Sequence, residues 1–136
     1  MKSIKLILIL FIVTSISSCN SQQKKVTDPN AVVQVVSTEI FANLSDSVQL
    51  IDIRTPGEYN KGYIKNAVNI NFFDTDFMEQ MSKLNKEEAL YIYCRSGNRS
   101  GSASDKLEDA GFIKVYDLGV GMNGWNKEGK PVLQHK

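Results

Sequence analysis

Residues 89–100 read Ala-Leu-Tyr-Ile-Tyr-Cys-Arg-Ser-Gly-Asn-Arg-Ser, and the fold prediction begins from this stretch. Its first half is a short apolar run rich in β-forming residues, which indicates a buried strand that leads directly into Cys94. Its second half is small, polar and basic, and a helical segment follows up to Ala110, with Gly111 as its stop signal. A strand that passes through a polar loop into a helix is typical of the sheet edge where open α/β folds place ligands.

The rest of the chain repeats this alternation of strands and helices. We predict strands over residues 34–36, 48–53, 67–70, 89–93 and 112–116, and helices over residues 38–44, 56–59, 75–83 and 101–110. Ser37, Thr55 and Asp74 are the predicted N-caps of the first three helices. Short β-rich runs that alternate with helical runs predict an α/β domain built on a mostly parallel sheet.

Composition limits the classes of function. The chain has 136 residues, of which 42% are hydrophobic and 23% are charged, as expected for one globular domain. Its 16 Lys and Arg residues nearly balance 15 Asp and Glu residues, and the charges are interspersed. We therefore find no electrostatic basis for a nucleic-acid partner.

The N-terminus has the order of an export signal. Two early lysines precede an apolar run over residues 6–13, which is too short for the roughly 20 residues that cross a bilayer. The run is followed by Ile16-Ser17-Ser18-Cys19, which resembles a bacterial lipobox. We expect residues 1–18 to be a cleaved lipoprotein signal peptide and Cys19 to carry the lipid; a non-lipidated signal with a chance cysteine is the alternative.

This interpretation divides the chain into three parts. Residues 1–18 are the signal peptide, residues 19–33 are the lipidated cysteine with a flexible linker, and residues 34–136 are the folded domain. Acyl chains on Cys19 would anchor the protein to a bacterial membrane. The domain would then be exported, facing the periplasm or the cell exterior.

Cys94 is the second of only two cysteines. If Cys19 carries lipid, Cys94 has no partner for an intramolecular disulfide, and a lone thiol in an oxidising compartment is open to oxidation. Cys94 is therefore either a buried core residue or a functional one. Two arginines, a glycine and small polar residues make a poor core segment around it, so we favour a functional residue.

The loop after Cys94 suits a sulfur anion. If the loop curls around the sulfur, its backbone N–H groups and the start of the next helix would stabilise a thiolate. Gly97 permits the tight turn, Arg99 can neutralise an oxyanion, and Arg95 faces the entrance. The candidate site comprises Cys94 as nucleophile with Arg95, Ser96, Gly97, Asn98, Arg99 and Ser100.

Three ordered motifs carry a family resemblance. The first contains Ile51-Asp52-Ile53-Arg54, Glu58-Tyr59, Gly62-Tyr63-Ile64 and Ala67-Val68-Asn69-Ile70. The second runs from Tyr93 to Ser100, and the third contains Tyr116-Asp117-Leu118-Gly119, Gly121 and Gly124-Trp125. Over residues 35–132 the chain resembles the single-domain rhodanese-like family. The resemblance implies a three-layer α/β fold, with about five mostly parallel strands and helices on both faces.

The resemblance also implies an activity. Members of this family are sulfurtransferases, so Cys94 would take a sulfane sulfur from thiosulfate or a similar anionic donor, as a persulfide. A thiophilic acceptor, either a small molecule or a protein thiol, would then receive it, with no metal or cofactor. Asp52, Arg54 and Glu58 would be supporting residues, with Arg54 paired to Glu58, and the protein would be a monomer.

Other functions stay open. Tyr63, Lys65-Asn66 and Val120 depart from common family residues, so a binding or sulfur-carrier module with little turnover is the main alternative. A cysteine phosphatase is disfavoured, because four residues separate Cys94 from Arg99 where related phosphatases have five. A thiol-disulfide oxidoreductase is disfavoured, because no resolving cysteine is present besides Cys19.

Overall fold

Five short strands form the centre of the structure, a computed structural model that describes residues 28–134. The strands are β1 (Val33–Val36), β2 (Gln49–Asp52), β3 (Val68–Asn69), β4 (Leu90–Tyr93) and β5 (Val115–Leu118). They lie in the order β1-β5-β4-β2-β3, and every pairing in the sheet is parallel. Strand β4 therefore lies in the middle, and the prediction of about five mostly parallel strands is confirmed.

Helices cover both faces of this sheet. They are α1 (Thr38–Ala42), α2 (Pro56–Asn60), α3 (Phe77–Ser82), α4 (Asn98–Asp109) and α5 (Gly121–Lys127). Residues of α3 and α4 pack with Ile51 and Ile92 in one buried cluster. Residues of α1 and α5 pack with Leu50 and Tyr93 in a second cluster. Consecutive strand residues point to opposite faces of the sheet, and here apolar residues cover both faces. Helices pack on both of them, so the predicted three layers are confirmed.

Three of the predicted elements begin two or more residues away from their start in the structure. Helix α4 begins at Asn98 instead of after Ser100, and β5 lies three residues later than the predicted strand at 112–116. Phe112 is still buried, but it precedes the strand. Asp76, and not Asp74, is the N-cap residue of α3, and the Asp74 carboxylate accepts a hydrogen bond from Asn71. Apolar periodicity therefore predicted where each of these elements lies more accurately than where it begins.

Helix α5 was not predicted. Its sequence contains Gly121 and Gly124, and glycines at this spacing favour a loop in a sequence-based prediction. The helix is held by tertiary packing, since Met122 and Trp125 are almost completely buried against the sheet. The Trp125 indole N–H donates to the Pro131 carbonyl at 3.0 Å, which also fixes the chain beyond the helix.

The departure at Lys65-Asn66 is accommodated within the turn before β3. Asn66 has a φ of 67°, in the left-handed region that asparagine tolerates better than most residues. Its amide donates to Asp46 at 2.6 Å, and the Lys65 ammonium lies 3.0 Å from the same carboxylate. The turn therefore forms without glycine.

The predicted signal peptide, Cys19 and most of the linker lie outside the described residues. Strand β1 begins at Val33, one residue before the predicted start of the domain. Between residues 28 and 134, no helix has the length and apolar character needed to cross a membrane.

Glu58 joins two helices that are distant in sequence. It forms a capping box with Thr55 at the start of α2, and the same carboxylate contacts both terminal nitrogens of Arg99 in α4, at 2.7 and 2.8 Å. The hydrogen bonds from Arg99 lower the pKa of Glu58 from 4.5 to about 2, although partial burial acts in the opposite direction. The ionised carboxylate therefore stabilises the folded state.

We expect Glu58→Gln to reduce stability in a pH-dependent manner. A carboxyl group with a depressed pKa contributes its full stabilisation above pH 4.5 and loses it as the pH falls towards 2. Urea denaturation should give a difference between wild type and variant at pH 6 that becomes smaller at pH 3. A difference that is constant between these pH values would contradict this role for the charge.

Candidate active site

Strand β4 places Cys94 at the carboxyl edge of the sheet. Cys94 follows Tyr93 directly, and β4 lies between β2 and β5. The residue is completely buried and packs in the same cluster as Ile92, Ala103 and Leu107. Burial therefore fits both sequence-based alternatives, a core cysteine and a functional one. The surroundings of the sulfur atom are needed to distinguish them.

Hydrogen-bond donors surround the sulfur. The backbone N–H of Gly97 donates to Cys94 Sγ at 3.1 Å, and the Ser100 hydroxyl lies 3.5 Å from the same atom. The amides of Ser96 and Ser100 also direct their hydrogens to the sulfur. The loop curls around Cys94 as predicted, and since α4 begins at Asn98, the first turn of that helix forms part of the ring.

The carbonyl groups of this loop are held on the opposite side by α5. Met122 donates its backbone N–H to the Cys94 carbonyl, and Asn123 donates to the Arg95 carbonyl, both at 3.0 Å. These hydrogen bonds hold the carbonyl oxygens away from the sulfur. The inward side of the loop is therefore lined by N–H groups. Backbone donors carry no side-chain signature, so this role of α5 could not be predicted from the sequence.

Two glycines allow this close packing. A Cβ atom on Gly97 would lie 2.0 Å from the Gly119 carbonyl oxygen, and one on Gly121 would lie 2.6 Å from the Arg95 carbonyl. Both residues also have positive φ values, 94° and 54°, which side chains disfavour. The prediction that Gly97 permits the turn is confirmed.

The balance of interactions favours a thiolate. Burial acts to raise the pKa of the Cys94 thiol, but hydrogen bonds from the Ser100 hydroxyl and from the amides of Ser100, Ser96 and Gly97 outweigh it. The pKa therefore lies below its ordinary value. Thiolates are the nucleophilic form of cysteine, and the same donors can stabilise another sulfur anion in the ring.

The charged residues pair differently from the prediction. Arg54 does not contact Glu58; its guanidinium pairs with the buried carboxylate of Asp52 at 2.6 Å and also donates to the Gly62 carbonyl at 2.7 Å. Asp52 lies only two residues from Arg54 in sequence, and its carboxylate lies beside the guanidinium. Arg54 therefore pairs with Asp52 and not with Glu58. The prediction of an Arg54–Glu58 pair is therefore wrong.

Arg99 is already engaged in an ion pair. Its guanidinium forms a two-point interaction with Glu58, and the Phe73 ring lies with its centroid 5.5 Å from the guanidinium carbon. In this structure Arg99 joins the loop to α2, with its guanidinium paired to Glu58. Phe73 was not predicted as a site residue, and no sequence pattern links it to Arg99.

The mouth of the loop is polar with apolar flanks. Arg95, Ser96 and Asn98 are exposed, as predicted for Arg95. Phe73 is 64% exposed beside Arg99, and Val120 is 50% exposed next to Gly121, which contacts the Arg95 backbone. Within residues 28–134, the surroundings of the loop therefore include Arg95, which belongs to no ion pair, and the exposed apolar side chain of Phe73.

A separate cleft of about 200 Å³ lies on the α1 and α5 side. Its lining includes Phe41, Val48, Lys65 and Trp125, but none of the loop residues 94–100. Val48 and Lys65 precede strands β2 and β3, so this cleft lies towards the amino ends of the strands, away from Cys94. It does not contribute to the site described here.

Comparison with known proteins agrees with this geometry. Residues 37–128 match the family described as the Rhodanese-like domain. A sulfurtransferase of Allochromatium vinosum is 34% identical over 104 residues, which cover 75% of this chain and 95% of that protein. Thiosulfate sulfurtransferase 16 of Arabidopsis thaliana is 33% identical over 91 residues, which cover 60% of this chain and 76% of that protein.

Solved structures give the same result. A rhodanese-related protein from Thermoplasma volcanium superposes with a TM-score of 0.67 at 25% identity, covering 75% of this chain and 99% of that one. The match to the family extends from the end of β1 to the end of α5, so it includes all three motifs and the complete sulfur loop. The chain therefore belongs to the rhodanese-like domain family.

Proposed function

We propose that the protein is a sulfurtransferase in which Cys94 carries the transferred sulfur as a persulfide. The observation that carries this proposal is the ring of N–H and O–H donors around Cys94 Sγ. Relatives named as sulfurtransferases, one of them for thiosulfate, support it. Thiosulfate or a similar molecule is the proposed donor, and a thiophilic small molecule or protein thiol is the proposed acceptor.

The reaction proceeds in two halves. The Cys94 thiolate attacks the outer sulfur of the donor, the donor S–S bond breaks, and sulfite leaves with the bonding electrons when thiosulfate is the donor. The outer sulfur stays on Cys94 as a persulfide, held by the N–H donors of the loop. An acceptor thiolate then attacks this sulfur and regenerates the Cys94 thiolate, which predicts ping-pong kinetics.

Donor access requires the loop to move. Cys94 has no exposed surface, whereas Arg95, Ser96 and Asn98 on the surrounding loop are exposed. The α5 hydrogen bonds hold the carbonyl groups of Cys94 and Arg95 at the amino end of this segment, so a displacement within residues 96–98 is the proposed route to the sulfur. Binding energy from the donor would then offset the cost of opening the loop.

A sulfur-carrier or binding module with little turnover is the second candidate. The complete burial of Cys94 and the commitment of Arg99 to Glu58 favour it, because both would slow the entry of a donor. This alternative uses the same persulfide ring but lacks rapid catalysis. Steady-state turnover with a donor and an acceptor thiol distinguishes the two candidates.

Persulfide formation is the first test. We expect the folded domain, incubated with excess thiosulfate or with cysteine hydropersulfide, to gain the mass of one sulfur atom. Cys94→Ser should gain none under the same conditions, as measured by intact mass spectrometry. A folded wild-type protein that gains no sulfur from either donor would contradict both the transferase and the carrier proposals.

The hydrogen-bond donors around the sulfur atom of Cys94 can be tested one at a time. We expect Ser100→Ala to raise the pKa of Cys94, because the hydrogen bond from the Ser100 hydroxyl to Sγ is lost. Below that pKa the rate of iodoacetamide alkylation should fall roughly tenfold, the value of one hydrogen bond to a charged group. Ser102→Ala on the exposed side of α4 is the matched control. Equal pH–rate profiles for the two variants would contradict the role of Ser100.

We also propose that the protein is exported and anchored by lipid on Cys19. The full chain, expressed in a bacterium, should remain in the membrane fraction after a carbonate wash. Cys19→Ala should not incorporate a labelled fatty acid and should lose this membrane association. Equal distribution and labelling of wild type and variant would contradict the anchor.

A further inference from the structure

We propose that the cleft lined by α1, α5 and the turn before β3 binds a free α-amino acid with an apolar side chain, and that this ligand strengthens the hold of α5 on the loop around Cys94. The cleft has a volume of about 200 Å³, and none of the loop residues 94–100 line it. The proposed site is therefore separate from Cys94 and goes beyond the sulfur-transfer function proposed above.

One part of the cleft lining is apolar. Leu44 and Val48 are half-buried and Pro131 is exposed, so these side chains offer surface that a ligand can cover. Phe41 and Trp125 also line the cleft but are almost completely buried. A cavity of roughly 150 Å³ holds one benzene molecule, so the cleft has room for one apolar side chain of similar size.

The other part of the lining carries an ion pair. The Lys65 ammonium lies 3.0 Å from the Asp46 carboxylate, and the Asn66 amide donates to the same carboxylate at 2.6 Å. Hydrogen bonds from Lys65 and Asn66 lower the pKa of the Asp46 carboxyl group, so Asp46 is ionised at neutral pH. The cleft therefore presents one positive and one negative charge beside apolar surface.

This arrangement complements a zwitterion. The ammonium and carboxylate groups of a free α-amino acid are attached to the same carbon atom, so they can pair with Asp46 and Lys65 at the same time. The Lys65 and Asp46 side chains are 65% and 73% exposed, and such exposed ion pairs contribute little to stability, so this pair can exchange partners easily. An apolar ligand side chain would then cover Leu44 and Val48. A ligand with only one charge would compete for one member of the pair and leave the other unpaired.

Helix α5 joins this cleft to the loop around Cys94. Trp125 lines the cleft. In the preceding turn of the helix, the Met122 amide donates to the Cys94 carbonyl, and the neighbouring Asn123 amide donates to the Arg95 carbonyl. The N-cap residue of α5 makes no side-chain hydrogen bond to the helix, so burial of Met122 and Trp125 is the main support of the helix.

A ligand in the cleft adds contacts on the side of α5 that carries Trp125. Because Trp125 forms part of the site, the ligand binds the state in which α5 is packed against the sheet and not a state in which it is displaced. The displaced state therefore becomes less populated when the ligand is bound. The hydrogen bonds from Met122 and Asn123 to the loop then open less often.

Binding is tested with L-leucine and followed by the fluorescence of Trp125, the single tryptophan of the chain. We expect a saturable change in fluorescence with leucine. Leucine amide lacks the carboxylate and 4-methylpentanoate lacks the ammonium group, and each should bind roughly fivefold more weakly, the upper value for one exposed ion pair. Glycine lacks the apolar side chain and should also bind more weakly than leucine.

Variants identify the cleft as the site. Asp46→Asn and Lys65→Gln each remove one charge and should weaken leucine binding roughly fivefold. Lys83→Gln breaks an ion pair of similar exposure with Glu79 at the end of α3, and it is the matched control. The proposed site would be overturned by no saturable binding of leucine, by equal binding of leucine and its two singly charged analogues, or by equal effects of the three variants.

Amide hydrogen exchange, measured by NMR, tests the link to the loop. Leucine at ten times its dissociation constant should slow exchange of the Met122 and Asn123 amides about tenfold, because it binds only the closed state. The Leu84 amide, which donates to the Met81 carbonyl on the opposite face of the sheet, should be unaffected. Unchanged exchange at Met122 and Asn123 would overturn the link and leave the binding site standing. Neither readout uses sulfur transfer, so failure of this proposal is distinguishable from failure of the sulfurtransferase proposal.

Discussion

The structure depends on the orientation of the peptide groups around one sulfur atom. A sulfur anion can be buried only if donors replace the water that it loses, and here N–H groups point inward while carbonyl groups point outward. The arrangement needs a strand that ends at Cys94, a helix that begins at Asn98 and a second helix whose first amides bind the carbonyl groups. Strand β4 and helix α5 are short, with four and seven residues, and all three elements are held by burial in the two clusters on either side of the sheet.

The outer support of the ring comes from a single carboxylate. Glu58 caps α2 and holds Arg99 in the first turn of α4, so the loop is connected to the end of β2 as well as to β4. The same contact pairs the charge of Arg99 with a carboxylate. Support of the loop and pairing of this charge are therefore two results of one ion pair, and a change at Glu58 alters both.

The sequence was sufficient for the order of the five strands and the first four helices and for the position of the loop around Cys94. Apolar runs separated by capping residues located β2, β4 and α2, and the polar loop after Cys94 identified the ring. It was not sufficient for features that depend on spatial proximity. Arg54 has carboxylates on both sides in sequence, at Asp52 and Glu58, and only the backbone path beyond β2 determines which one it meets. Helix α5 was missed because its glycines lower helix propensity, while its burial comes from residues far away in the chain.

The parallel sheet also sets the direction in which the sulfur loop faces. The chain enters β1 at the amino end of the parallel strands, whereas Cys94 follows the carboxyl end of β4. The length of a four-residue strand, roughly 13 Å, separates these two ends of the sheet. Any attachment through the segment before residue 28 therefore joins the domain at the end of the sheet opposite Cys94. A tether attached there leaves the sulfur loop on the side of the domain that is farther from the attachment.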